Sequence, residues 1–382
     1  MTENGLGQIL GSLRRHPDVE AANLQAWDAT DSLLLDAAAD LLTPESTVAV
    51  VGDNYGALAL GLLAGAAGQV PAAVRVHQDL VTGERALRNN AAALGLTEGF
   101  AQLPLGAELL SGADLVLLQL PRTLAELDEI SDAVARYAPA GAVLLAGGRV
   151  KHMSVGMNAV LGKYFGTVQP QLARQKSRLL IASGPVRPEG NPPFPVTEHN
   201  AELDLDICAH GAVFAGTRLD IGTRFLLTFL PEIPDAARAV DLGCGTGILA
   251  AMYARRHPEA EVLATDRSAA AVASTKATAR ANGLAGSITA VQDDAMSTLP
   301  AGNADLILLN PPFHLGSSVH AGAGLKLFEA AGRVLAPGGQ LWTVFNSHLR
   351  YLPALERLVG PTTVRGRNPK FTVTASVRRA AW

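Results

Sequence analysis

The chain holds 382 residues, 48% of them hydrophobic and 17% charged, with 38 glycines, 22 prolines, 5% aromatics and a net charge of −4. That length suits two domains of roughly 100–200 residues each, and the composition excludes a disordered or disulfide-built chain. The two cysteines, Cys208 and Cys244, are too few for a disulfide framework and lack metal-ligand spacing, so ordinary buried or loop thiols, no metal and a reducing cytoplasm are expected.

From the N-terminus, residues 1–20 carry no apolar run behind a basic start, and no later stretch offers the ~20 uninterrupted apolar residues of a membrane helix. Neither export nor membrane insertion is expected. Apolar strands are predicted at Val48–Val51, which runs into Gly52-Asp-Asn-Tyr-Gly56, and across Ala113-Asp-Leu-Val-Leu-Leu-Gln-Leu-Pro121. No acid lies between Asp132 and Glu189, against eight bases: Arg136, Arg149, Lys151, Lys163, Arg174, Lys176, Arg178 and Arg187. One such block is ordinarily a solvated face. A second, after Glu356, holds Arg357, Arg365, Arg367, Lys370, Arg378 and Arg379 without a carboxylate, and two in a net acidic protein point to a phosphate-tracking surface.

The segment Gly184-Pro-Val-Arg-Pro-Glu-Gly-Asn-Pro-Pro-Phe-Pro195 is too rich in proline for a helix or central strand. Domains are therefore expected at 1–185 and 199–382, with residues 186–198 as linker. Beyond it, strands are predicted at Ala237–Leu242, Glu261–Thr265, Ser287–Val291, Ala304–Leu309 and Gln340–Phe345, with a helix from Ile248 to about His257 and Ala-rich helical segments between the later strands. The alternation implies an α/β fold with a parallel, doubly wound sheet, because crossover helices must cover both faces. Thr362–Arg367 and Phe371–Arg378, joined by Asn368-Pro-Lys370, read as an antiparallel hairpin at the sheet edge.

The halves repeat. The run Ala113 to Pro121 matches Ala304-Asp-Leu-Ile-Leu-Leu-Asn-Pro-Pro312 at an offset of 191, and Gly56 matches Gly247 at the same offset. At matched positions Asp241 is replaced by Val50, Gly245 by Asn54, Asn310 by Gln119, Pro311 by Leu120 and Phe313 by Arg122. The first copy keeps its strands but loses the polar and glycine positions of a ligand site, so it is expected to be a degenerate copy turned binding platform.

In the second copy Asp241-Leu-Gly-Cys-Gly-Thr-Gly247 ends a strand and opens a helix, where open α/β sheets bind ligands and bare backbone N–H groups are expected. Dinucleotide spacing would need glycine at position 248, where Ile248 stands. The spacing D-x-G-x-G-x-G instead resembles the first motif of the seven-stranded methyltransferases, which wraps the methionine end of S-adenosylmethionine. Asp241, Gly243, Cys244, Gly245 and Gly247 are thus cofactor-binding candidates. The next strand ends in Asp266, followed by Arg267, where a carboxylate can accept from both ribose hydroxyls. The third ends in Asp293-Asp-Ala295, where Asp294 can accept from the adenine amino group. Singly each aspartate reads as a helix cap or loop residue. At successive strand ends the three together favour the cofactor.

Asn310-Pro-Pro-Phe313 follows the strand Ala304–Leu309 directly. An exocyclic amino nitrogen is a poor nucleophile because its lone pair is delocalised into the ring, so both N–H bonds must be held by acceptors while the lone pair turns to the methyl group. The Asn310 side-chain oxygen and the Pro311 carbonyl can do this, with Pro311 and Pro312 fixing the turn. Phe313 offers a face for a flipped base, and His314 stands at the rim. The same letters at Asn191-Pro-Pro-Phe194 follow no strand and are assigned no chemistry.

Over nearly its whole length the chain is similar to the bacterial ribosomal RNA guanine-N2 methyltransferases, in Val213-Phe214, Leu219-Asp-Ile-Gly-Thr-Arg-Phe225, the glycine loop, Asn310-Pro-Pro-Phe-His314, Asn346-Ser-His-Leu349 and Asn368-Pro-Lys-Phe371. The last two pieces, with Asp53-Asn-Tyr-Gly-Ala57 and Leu120-Pro-Arg-Thr-Leu124, resemble the large-subunit (23S) branch more than the small-subunit (16S) branch. The resemblance implies two tandem Rossmann-like domains of the seven-stranded, class I methyltransferase type, the first degenerate. It implies S-adenosyl-L-methionine as cofactor, one methyl transferred to N2 of a single guanosine, and help from the first domain in gripping RNA. Gly222-Thr223 would line the methionine end. A monomer is expected. DNA adenine-N6 and protein glutamine methyltransferases share the N-P-P-[FY] motif, and a noncatalytic RNA-binding module is the rival from another class. The duplicated basic half argues against the first two, and intact Asp241, Asp266, Asp294 and Asn310 against the last.

Overall fold

A computed structural model describes residues 3–65, 68–311 and 318–379, in two compact units, 1–194 and 195–382. Unit 1 contains β1 (Thr47–Val51), β2 (Ala73–His77), β3 (Phe100–Gln102), β4 (Leu115–Gln119), β5 (Val143–Arg149), β6 (Phe165–Pro170) and β7 (Ser177–Pro185). Unit 2 contains β8 (Val196–Asn200), β9 (Leu205–Ala209), β10 (Arg238–Leu242), β11 (Glu261–Asp266), β12 (Ile288–Gln292), β13 (Ala304–Leu309), β14 (Leu335–Asn346), β15 (Thr362–Arg367) and β16 (Phe371–Val377).

Each unit is built on a seven-stranded sheet, ordered β3-β2-β1-β4-β5-β7-β6 in the first and β12-β11-β10-β13-β14-β16-β15 in the second. The first five strands of each order are parallel, the sixth runs antiparallel to the fifth and the seventh antiparallel to the sixth, so both copies end in an edge hairpin of the kind foreseen for the C-terminus. The duplication extends to register: Val50 pairs with Leu117 and Asp241 with Leu308, both members displaced by 191.

The central strands are mostly apolar on both sides because helices cover both faces. In unit 1 Val48, Val50, Leu115 and Leu117 enter one core, while Ala49, Val51, Val116 and Leu118 enter the other. In unit 2 Ala239, Leu306 and Leu308 face one side and Val240, Leu242, Ile307 and Leu309 the other. Asp241 therefore points to the same side as Ala239, beneath the helix Ile248–Arg256.

Two features differ from the sequence expectations. The strand expected at Gln340–Phe345 starts earlier, at Leu335. Residues 196–198, expected as linker, belong to β8, which forms a two-stranded antiparallel ladder with β9. The other edge of β9 is satisfied by side chains: Ser274, Thr278 and Asn282 of the helix Ala269–Ala281 and its cap accept from the backbone N–H groups of His210, Cys208 and Asp206 at 2.9–3.0 Å. Four residues of helix rise about 6 Å and two residues of strand about 6.6 Å, so every fourth helix residue meets every second strand N–H. Among the described residues, no helix is long and apolar enough to cross a membrane.

Candidate active site

The glycine loop follows β10. Gly243, Gly245 and Gly247 have φ of 75°, 55° and 78°, a region where a side chain is strained. Gly247 is also crowded, since a Cβ there would lie 2.7 Å from the Thr275 methyl, whereas a Cβ on Gly243 or Gly245 would meet nothing within 4 Å. The loop thus leaves open space beside two bare backbone positions, which suits close approach of a ligand.

Four N–H groups of the loop, expected to be bare, are engaged within the chain. Gly243 and Cys244 both donate to the Thr265 carbonyl, Gly247 donates to that of Cys244, and Gly245 donates to Asp266 Oδ2 at 3.1 Å. At these four positions the loop offers shape rather than donors. Cys244 is buried with its Sγ accepting from the Thr275 hydroxyl, and burial pushes its thiol well above the ordinary range, so its side chain presents nothing to a ligand.

The strand-end carboxylates divide by environment. Asp241 is 1% exposed, one oxygen accepting from Ala250 N–H at 2.9 Å and the other buried without a partner among the described residues. Burial pushes its pKa up to about 7. Asp266 is half-buried, with Oδ2 accepting from Gly245 N–H and Oδ1 from Ser268 N–H at 3.0 Å. Arg267 is exposed and its carbonyl accepts from Gln292. At the end of β12, burial raises the Asp293 pKa, but bonds from Ser297, from Thr298 twice and from Asp294 N–H outweigh it and hold the carboxyl below its usual range. Asp294 is ion-paired with Lys326, and Ala295 beside it has φ of 52°.

Asp241 gives a pH prediction. Its folded pKa lies above the unfolded value of 3.8, so the folded state keeps a proton that the unfolded chain releases. That contribution is full below the unfolded pKa and is lost as pH climbs to about 7. Urea unfolding of Asp241→Asn should show a shallower fall in stability between pH 5 and 7 than the parent, by up to about 1.4 kcal/mol per pH unit. Parallel curves would mean that Asp241 does not titrate there.

Asn310 ends β13. Its Nδ2 donates to Asp220 Oδ2 at 3.0 Å and to Thr223 Oγ1 at 2.9 Å, while its Oδ1 is buried and accepts from no described residue. Asp220, which the sequence offered only as one letter of a motif, caps the helix Ile221–Leu227 and accepts from Gly222 and Thr223 N–H. Pro311 is buried beside Asn310. Pro312, Phe313 and His314 lie outside the described residues. The second N-P-P-F is exposed from Asn191 to Pro193 and follows no strand directly.

Two domain families match the chain: the Methyltransferase small domain over residues 204–375 and the RLMG N-terminal domain over residues 1–186. The chain is 37% identical to ribosomal RNA large subunit methyltransferase G of Pseudomonas aeruginosa (strain UCBPP-PA14), over 94% of this chain and 96% of that one. It is 34% identical to the protein of the same name from Streptomyces avermitilis, over 96% and 97%. The chain belongs to the ribosomal RNA large subunit methyltransferase G family. A T. thermophilus 16S rRNA N2 methyltransferase (RsmC), solved in complex with AdoMet and guanosine, shares the fold across 92% of both chains, with a TM-score of 0.70 and 23% identity.

The part of unit 1 that corresponds to this site is filled from within. Asp53, 1% exposed, accepts from Gly56 N–H at 3.0 Å and Ala59 N–H at 2.8 Å. Ala59 is the 191-residue counterpart of Ala250, so a carboxylate three positions along the chain has taken over the bond that Asp241 makes in unit 2. Sheet register sets Gln78 opposite the place of Asp266, and Gln78 accepts from Leu80 N–H as Asp266 does from Ser268. Gln119, the counterpart of Asn310, donates to Asp31. Part of the polar framework of unit 2 thus persists in unit 1, while its open glycine positions do not: a Cβ on Gly52 would lie 3.2 Å from the Gln119 carbonyl.

Proposed function

We propose that this chain methylates the exocyclic N2 of one guanosine in large-subunit (23S) ribosomal RNA, using S-adenosyl-L-methionine. The observation that carries this reading is Asn310, a strand-end amide with its nitrogen doubly engaged and its oxygen buried and unpartnered. A buried acceptor without a donor costs stability unless something completes it, and a target amino group would do so. The sulfonium of the cofactor supplies an already activated methyl group, so no strong general base is required. Asn310 Oδ1 and the Pro311 carbonyl take the two amino N–H bonds, and Phe313, which follows Pro312 in the motif, offers its ring to the base.

Gly243, Gly245 and Gly247 shape the cofactor's cradle. Asp266, next to Arg267, takes the ribose hydroxyls, Asp294 with Ala295 takes the adenine amino group, and Thr223 lies toward the methionine end. Asp241 and Cys244 act from beneath, holding helix and loop. The protein works as a cytoplasmic monomer, with residues 1–185 gripping RNA and 199–382 performing transfer.

Among the described residues of unit 1, the charges of the basic block differ in exposure and in partners. Arg136 is paired with Asp132 and Lys163 with Asp128, and the Arg178 Nε is buried. Arg174 and Lys176 are exposed on the turn joining β6 to β7, beside Leu172, which is 89% exposed, and Arg174 lies 3.9 Å from Asp36 in an exposed ion pair. Replacing Arg174 and Lys176 by Ala should weaken rRNA binding and reduce its log-log salt slope by up to about one unit per lost phosphate contact. An unchanged slope would assign this turn to an ordinary solvated surface.

The reading is tested by single-turnover transfer of labelled methyl to deproteinised 23S and 16S rRNA, followed by nucleoside analysis. Label in N2-methylguanosine from 23S rRNA supports it. Label in another nucleoside, or in 16S rRNA alone, would replace it.

A further inference from the structure

The Asn310 amide can do its proposed work in only one of its two orientations. With Oδ1 toward the target it accepts an amino N–H, and flipped by 180° it would present N–H against N–H. The two orientations have almost the same shape, so packing does not separate them and hydrogen bonding must. Thr223 Oγ1, at 2.9 Å from Nδ2, does not decide, because a hydroxyl can accept from an amide nitrogen or donate to an amide oxygen. Asp220 does decide. An ionised carboxylate only accepts, so the group 3.0 Å from its Oδ2 has to be the NH2 of Asn310.

Asp220 is itself held. Its Oδ2 also accepts from Gly222 N–H at 2.8 Å and Thr223 N–H at 3.2 Å, which locks the carboxylate to the start of the helix Ile221–Leu227. Unit 1 retains a version of the device: Asp28 caps the helix Ala29–Ala39, and Asp31 three residues on, where unit 2 has Thr223, accepts from the Gln119 side chain. An acid at the start of this helix thus holds the amide at the end of the fourth strand in both copies.

We propose that Asp220 is a positioning residue for methyl transfer, fixing the Asn310 amide with its oxygen toward the target amino group. The inference rests on the reading of Asn310 given above, and extends it to a residue 90 positions away in the chain. Capping and orientation are separable functions of the same carboxylate. Serine is as good a helix cap as aspartate, but its shorter side chain withdraws the acceptor from Asn310 and its hydroxyl can donate as well as accept. Asparagine keeps an oxygen at the same reach.

The experiment compares Asp220→Ser and Asp220→Asn with the parent in single-turnover transfer at saturating cofactor and RNA, alongside melting temperature and S-adenosylhomocysteine affinity. Asp220→Ser should lose about 10–100-fold in rate, the range expected for one hydrogen bond to a charged group, with melting temperature and cofactor affinity unchanged. Asp220→Asn should recover most of the rate. In an Asn310→Ala background, Asp220→Ser should cost nothing further, because the group it orients is gone. Equal rates for the parent and Asp220→Ser would overturn the proposal, as would a loss that is additive with Asn310→Ala or tracks cofactor affinity.

An NMR measurement decides the matter without a substrate. The Asn310 side-chain NH2 should be protected from solvent exchange in the parent and Asp220→Asn proteins and unprotected in Asp220→Ser. Protection unchanged in Asp220→Ser contradicts the orienting role even if rRNA is not the substrate. A parent protein inactive on rRNA, with protection behaving as expected, contradicts the substrate assignment alone.

Discussion

Asn310→Ala should lower methyl transfer by about 10²–10³-fold while leaving the fold and cofactor affinity almost intact. The expectation follows from where the interaction gains strength. As the target nitrogen pyramidalises and its lone pair leaves the ring, its N–H bonds become better donors, so an acceptor aimed at them stabilises the transition state more than the bound ground state. Loss of one preorganised polar group of this kind typically costs that much in rate. In the alanine variant the Asp220 and Thr223 contacts to Nδ2 disappear as well, but Asp220 remains bonded to Gly222 and Thr223 N–H and the helix cap persists. Asn191→Ala, in the exposed copy of the motif, should change nothing measurable. Single-turnover assays of both variants beside the parent make the comparison. Transfer abolished by Asn191→Ala and retained by Asn310→Ala would invert the assignment of the site and of the catalytic unit.

Calorimetric titration with S-adenosylhomocysteine should give one site per chain, and Gly245→Arg should abolish it. Gly245 has φ of 55° and faces open space, so arginine there both strains the backbone and fills the cradle. In unit 1 the same position is Asn54, and the buried Asp53 carboxylate already engages the N–H groups of Gly56 and Ala59. A stoichiometry of two, or binding that survives Gly245→Arg with an intact circular dichroism spectrum, would mean that unit 1 retains a cofactor site.

What was legible in the sequence was local. Leu306–Leu309 of β13 is a continuous apolar run because both its faces are covered, and three glycines at alternate positions mark a turn with positive φ whatever surrounds it. The duplication was readable because strand and motif moved together by one offset. Interactions between distant segments were not. Asp220 and Asn310 lie 90 residues apart, and nothing in Leu-Asp-Ile-Gly-Thr says which amide its carboxylate will meet. The burial of the Asp241 and Cys244 side chains was hidden for a related reason: their place in the motif marks them as cofactor candidates and says nothing of side-chain direction, which buries both. The ladder of β8 and β9 was hidden because β8 is polar and almost wholly exposed, and because Ser274, Thr278 and Asn282 look like ordinary polar helix residues until β9 lies beside them. Position-by-position comparison also made the first copy look emptier than it is, since Asp53 restores from three residues away the helix contact that Val50 lost.

The most direct test is to map N2-methylguanosine across ribosomal RNA from cells with and without this protein. The account predicts that one N2-methylguanosine in 23S rRNA is lost without the protein, returns when the parent chain is supplied, and does not return with Asn310→Ala. An unchanged 23S pattern, or a loss confined to 16S rRNA, would contradict it.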